Sequence, residues 1–274
     1  MTTLNHALLC MVALLVCCAP LRAETENLEA LYLANEGVMV AQAGTKIVFD
    51  PLYDNTYGTY QAVPEVLRAA LLSATPPFDN IEALFVSHSH GDHFSAADVA
   101  TFMAAHPRAW VVAPSQAIAQ LKKIEPLLPA QRMISIALEY DAKPLTLTVG
   151  SLQVEAVRIA HAGGAKRRAI ENILYRVKMP NDAIVMHLGD ADPAATHYEP
   201  YAEHWRSRST DLAFPPYWFL NSAQGRALLT SQLNAGQSIG VHVPVEIPPE
   251  LKASGADFFT QPGESRTIRA SIAP

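Results

Sequence analysis

The sequence predicts an α/β fold: two β-sheets with helices packed outside them. Short apolar runs of strand length outnumber helical stretches in each half of the chain, and helices separate several of those runs. A further observation places the chemistry. Several runs end in a histidine or an aspartate, so polar side chains collect where strands run out, at positions that line a pocket at a sheet edge.

The elements follow in order. Residues 28–33, 38–42 and 46–50 are short β-like runs broken by Asn35-Glu36-Gly37 and by Gly44. Residues 51–60 form a loop rich in aromatics and turn formers. Residues 64–73 read as a helix with Pro64 at its start, where a missing N–H is harmless. Residues 81–86 are a buried strand, and 95–105 an amphipathic helix ending before Pro107. Ser95 is that helix's N-cap, and Asp98 completes a capping box. A strand at 110–113 and a helix at 115–124 come next. Strands follow at 132–138, 145–148, 152–159, 173–179, 183–187 and 212–214. A helix at 222–233 precedes a last strand at 239–243, which holds His242. No linker, low-complexity stretch or strong repeat interrupts the pattern, so 24–274 reads as one domain.

The chain has 274 residues, half of them hydrophobic and 17% charged, a globular composition with enough length for a good core. A formal net charge of −6 with no basic stripe argues against a nucleic-acid partner. Residues 1–23 read as a secretory signal peptide: 8–19 is apolar throughout, and Leu21-Arg22-Ala23 ends in the small residue a signal peptidase takes. The apolar stretch is too short for a membrane span, and Val16 is bulky for a lipid-attachment signal at Cys17. Processing after Ala23 would remove Cys10, Cys17 and Cys18, all the cysteines the chain has. The exported product, periplasmic or secreted, would then have no disulfide, no thiolate ligand and no stable membrane insertion. Oligomeric state leaves no signature in the sequence.

The most informative segment is His88-Ser89-His90-Gly91-Asp92-His93, three of ten histidines and one acid in six positions. Imidazole and carboxylate suit zinc and its first-row neighbours. Side chains alternate in an extended segment, so His88 and His90 can grip one metal ion, while Gly91 permits a tight turn that presents Asp92 and His93 to a second. His161, Asp190 and His242, each at the end of an apolar run, supply the remaining ligands. His88, His90 and His161 would hold the first ion, Asp92, His93 and His242 the second, and Asp190 would bridge them.

With these residues in place the chain resembles the metallo-β-lactamase superfamily. The carriers are the HxHxDH pattern at 88–93, then His161, Gly189-Asp190 and His242 in that order. The strand pair ending in Asp50-Pro51 and the phrase His187-Leu188-Gly189-Asp190 are similar to the ascorbate-phosphate-lactonase-like hydrolases. The resemblance implies an αββα sandwich with two divalent ions, zinc first and manganese or iron as alternatives, at one sheet edge. Two departures count against β-lactam hydrolysis: the mature chain lacks a cysteine ligand, and Phe94 stands where some members continue with histidine. An exported acidic chain also departs from the RNA-processing members.

Two cations can lower the pKa of bound water from about 15.7 toward 7. The expected chemistry is therefore attack by a bridging hydroxide on an ester, lactone or phosphodiester of a small molecule. Asp92 would orient that hydroxide and take its proton. His187 would donate a proton or hydrogen bond to substrate, or else support the site from behind. Asp50 would hold a ligand histidine or the loop backbone. Lys166 and Arg167, with Arg168 beside them, and Tyr217 are candidate substrate contacts, and Tyr53, Tyr57, Tyr60 and Trp218 candidate pocket walls. His106, His197 and His204 read as surface residues. The alternative from another class is an exported metal- or ligand-binding protein of the same fold without turnover. An iron pair doing redox chemistry is a third, and would colour the protein.

Overall fold

A computed structural model describes residues 27–269; the segment read as a signal peptide lies outside them. Two mixed sheets pack face to face with helices on both outer sides. The first sheet begins with antiparallel strands β1 (Leu28–Ala34), β2 (Gly37–Gln42) and β3 (Thr45–Phe49). It continues in parallel through β4 (Ile81–Phe85), β5 (Trp110–Pro114) and β6 (Met133–Ile136). The second sheet is built from β7 (Leu145–Val149), β8 (Leu152–Arg158), β9 (Ile173–Lys178), β10 (Ile184–His187), β11 (Thr210–Phe214) and β12 (Ala235–Ser238). Strand β13 (Ser265–Ile268) returns to pair antiparallel with β1 and closes that edge of the first sheet.

Alternation within the strands makes the layers. Phe49, Ala83, Phe85 and Val112 of the first sheet meet Val154, Ala156, Tyr175 and Val185 of the second in one buried core. The intervening residues Val48, Leu84 and Val111 face outward onto helices α1 (Glu65–Leu72), α2 (Ala96–Ala105) and α3 (Ser115–Ile124), through Leu71, Val99, Phe102 and Leu121. On the far side Val157, Leu174 and Met186 pack under α4 (Ala202–Arg206), α5 (Ala223–Ser231) and α6 (Pro249–Ala253), through Trp205, Leu228 and Leu251. Sheets buried on both faces explain why their strands read as nearly continuous apolar runs.

Several expectations need correction. Residues 239–243 are not a strand: the strand ends at Ser238, and His242 lies in an irregular segment with φ +58°. The capping box forms one arm only, because Ser95 accepts from the Asp98 N–H while the Asp98 carboxylate turns to Arg68. The tight turn expected at Gly91 does form, with His93 and Phe94 N–H both donating to the His90 carbonyl, although Gly91 is not left-handed; a Cβ there would come within 3.1 Å of Asn55 Cβ, where the 51–63 loop crosses the motif. His106 is not at the surface. It is buried, stacked on Phe102, with Nε2–H donating to the Leu71 carbonyl at 2.7 Å. His204 is also largely covered, with Nε2 3.1 Å from Glu155.

Candidate metal centre

The seven predicted ligands come together at one end of the sandwich. His88, His90, Asp92 and His93 leave the C-terminal end of β4, and Phe94 N–H closes a turn on the His90 carbonyl at 2.9 Å. His161 follows β8 and is pinned beside the segment after β10: Ala162 N–H donates to the Asp190 carbonyl, and Asp192 N–H to the Ala160 carbonyl. Asp190 is aimed by Gly189, whose φ is +53° and whose absent Cβ would fall 2.5 Å from Ser87 Cβ. Only glycine accepts both that conformation and that contact. Asn172 then fixes the loop, accepting from Asp190 N–H and donating to the Leu188 carbonyl.

Two sets of donor atoms result. In the first, His90 Nδ1 lies 2.9 Å from His88 Nε2 and 3.2 Å from His161 Nε2, and Asp190 Oδ2 is 3.2 Å from His161 Nε2. In the second, His93 Nε2 and His242 Nε2 are 3.2 Å apart, and Asp190 Oδ1 lies 3.2 and 3.0 Å from them. Asp92 Oδ2 completes that set at 3.7 and 3.5 Å. The two oxygens of one carboxylate therefore face different sets.

The surroundings decide what these atoms can bind. His93 Nδ1–H donates to Asp50 Oδ2 at 2.8 Å, His161 Nδ1–H to the Ala162 carbonyl at 2.6 Å, and His88 Nδ1–H to Ser87 Oγ at 3.0 Å. Ser87 in turn donates its hydroxyl to Asp50. With Nδ1 carrying the proton, each of these Nε2 atoms presents a lone pair inward. Ligands at about 2.0–2.1 Å around a tetrahedral ion sit about 3.3 Å apart, the spacing found here. Asp92 Oδ1, Asp190 Oδ1 and His242 Nδ1 are buried without a hydrogen-bond partner among the described residues. The donor set fits divalent ions.

The acids and imidazoles also act on one another's charge. Burial, then the charge on His93, holds His88 well below the usual imidazole range; burial and His161 bring His90 down to about 4. Burial would also lower His93, but Asp190 and Asp50 outweigh it and hold that imidazole well above its ordinary value. Burial would raise Asp190, and His242 and His93 reverse this, so it stays ionised.

The donors floor a cavity of about 570 Å³. Tyr57, Thr59 and Tyr60 of the 51–63 loop form one wall, and Lys166, Arg167 and Ile170 another. Tyr60 meets the His242 ring edge-on at 4.0 Å, and the Trp218 ring lies tilted to it at 5.2 Å. Arg167 Nη1 reaches within 3.4 Å of His90 Nδ1. Arg168 points elsewhere, over the Tyr140 ring. Tyr53 packs the loop down through Tyr53 Oη–H to the Gln61 carbonyl. Tyr217 does not line the cavity and lies against Trp218.

His187 is placed behind the site. It is fully buried, stacked on Phe49, with Nε2 3.1 Å from the Glu36 carbonyl and Nδ1 accepting from Gly189 N–H. It cannot reach a substrate, so the proton-donor role gives way to support of the Gly189-Asp190 turn. Sequence reasoning missed Asn35 and Glu36. Both are wholly buried in the β1–β2 turn; burial pushes the Glu36 carboxyl well above its usual range, and it sits 3.2 Å from His187 Nε2. A polar pair in a hairpin turn reads as solvent-exposed, and only the fold shows that this turn is covered.

Residues 31–204 match the family described as the Beta-lactamase superfamily domain. The chain belongs to this family. Comparison with curated proteins gives no match. Among solved structures it is similar to Igni18, a metallo hydrolase from Ignicoccus hospitalis (17% identity, 88% of this chain and 98% of that one, TM-score 0.59). It is also similar to an isothiocyanate hydrolase from Delia radicum gut bacteria (14%, 89% and 100%, TM-score 0.56). A third likeness is to CmlA, a diiron β-hydroxylase from Streptomyces venezuelae (15%, 90% and 54%, TM-score 0.51). At these identities the likeness establishes the metallo-β-lactamase αββα sandwich.

Proposed function

We propose that this protein is an exported metal-dependent hydrolase, holding two divalent ions and acting on an ester, lactone or phosphodiester of a small molecule. The observation that carries the reading is Asp190, whose two oxygens face two separate imidazole sets at the floor of an open cavity. His88, His90 and His161 would hold one ion, Asp92, His93 and His242 the other, with Asp190 shared. Ions bound there supply a water acidified toward neutral pH and an electrophile for the substrate oxygen.

The chain's own residues do the rest. Asp92 is buried but borders the cavity with Oδ1 unpartnered, placed to accept the proton of an attacking water. Lys166 and Arg167 line the same space, and the contact Arg167 makes there is with His90 rather than a carboxylate, so both can meet an anionic part of the substrate. Tyr57 and Tyr60 give the opposite wall an aromatic surface. Export rests on residues 1–23 alone.

The test is removal and return of metal. The purified mature protein, stripped by chelator, should lose hydrolysis on a panel of esters, lactones and phosphodiesters and regain it with zinc, manganese or iron. His90→Ala should lower kcat/KM at least 100-fold. Hydrolysis indifferent to metal, or a fully active His90→Ala protein, overturns the proposal. Two bound ions with no turnover on any substrate would favour a binding protein of the same fold.

A further inference from the structure

The seven donor atoms are carried by segments far apart in the chain, and the second set joins the 88–93 turn to the segment around His242. Nothing in regular secondary structure connects those two segments. What lies between them is the β1–β2 turn. Asn35 Nδ2–H donates to the Asp92 carbonyl at 2.8 Å, and His242 N–H donates to the Asn35 carbonyl at 2.8 Å. One buried residue thus holds the backbone of two predicted ligands of the same ion.

The local chemistry explains why asparagine stands there. Its φ is +51°, a left-handed conformation that asparagine and glycine tolerate and most residues do not. The side-chain nitrogen must face Asp92, because the amide oxygen would meet another carbonyl oxygen. His242 is itself in a left-handed conformation, at φ +58°, so its backbone needs an external tie to stay there. The neighbouring Glu36 carbonyl takes His187 Nε2–H, so the same turn also braces the strand that leads to Asp190.

We propose that Asn35 is a positioning residue for the second metal ion: its amide and carbonyl set the separation of Asp92 and His242, and the first ion's site does not depend on it. The inference rests on the reading of the centre as dinuclear.

Asn35→Gly is the chosen variant, since glycine keeps the left-handed turn and the carbonyl while deleting the side chain and its bond to Asp92. Zinc affinity is measured by competition with a chromophoric chelator on the mature protein. Wild type should take up two ions. Asn35→Gly should keep one at wild-type affinity and bind the other roughly 10- to 100-fold more weakly, the range for loss of a partner that orients a ligand. Combining it with His161→Ala, which removes a first-site ligand, should abolish tight binding. Combining it with His242→Ala should add nothing to His242→Ala alone. Two ions at wild-type affinity in Asn35→Gly, or equal weakening of both, overturns the role of Asn35. A wild type that binds fewer than two ions overturns the dinuclear reading and this inference with it.

Discussion

Asp50 touches no substrate and faces no cavity, yet three groups depend on it. Its buried carboxylate accepts from Ser87 N–H at 2.7 Å, from the Ser87 hydroxyl and from His93 Nδ1–H at 2.8 Å. The last bond holds the His93 ring so that Nε2 points at Asp190 and His242. Asp50→Asn keeps the shape but leaves one of these donors poorly matched. The expected outcome is roughly 10- to 100-fold weaker binding of one of two ions, read by zinc titration. Asp50 was legible as a strand-end acid next to Pro51, and its supporting role was expected. Asn35 was not legible, because both of its contacts are to or from backbone atoms, and a backbone carbonyl 57 residues away leaves no trace in residue type.

At the scale of elements, β8 and β9 carry a charged pair inside the second sheet's outer layer. Glu155 and Arg176 stand opposite each other in register and are joined by Arg176 Nε–H to Glu155 Oε2 at 2.6 Å. His204 of α4 lies 3.1 Å from the same carboxylate, and Arg208 3.6 Å, so the pair fastens the helix to the sheet. Burial would raise Glu155, but His204 and Arg176 outweigh it and bring the carboxyl down to about 2. A depressed folded-state value means stabilisation that is complete above the ordinary value near 4.5 and lost as pH falls toward 2. Glu155→Gln should therefore lower stability by about 3 kcal/mol at pH 7, because it strands a buried guanidinium. Urea unfolding at pH 7 and pH 3 should show the gap from wild type narrowing in acid. Most strands and helices were readable from apolar runs and caps to within a residue or two. The failures are physical. Residues 239–243 have strand composition, but past Ile239 their N–H groups donate to the Asp257, Pro215 and Asn35 carbonyls in turn, and the Gly240 and Val241 carbonyls accept from Phe259 and Tyr217 N–H, so no single neighbour forms a ladder with them. Strand β13 pairs with β1 from the other end of the chain, and its own four residues alternate too weakly to announce it.

For the whole molecule, the candidate centre is a staple between the sheets. His88 to His93 extend from the first sheet, His161 and Asp190 from the second, and His242 from the segment that follows it. Uncompensated, these donors crowd lone pairs and carboxylates into a buried space. Each ion bound to the folded state alone stabilises it by about 4 kcal/mol at a thousandfold excess over Kd. For a chain of this size that is roughly 8–16 °C in Tm. Chelation should lower the thermal midpoint by that order and zinc should restore it, as followed by calorimetry; an unchanged midpoint would mean the donors do not hold ions in the folded protein. The most direct test is anomalous X-ray diffraction from crystals of the metal-loaded protein. A dinuclear centre gives two peaks, one at about 2.0–2.2 Å from His88, His90 and His161, the other at that distance from His93 and His242, with Asp190 between them. A single peak, or peaks away from Asp190, would contradict it.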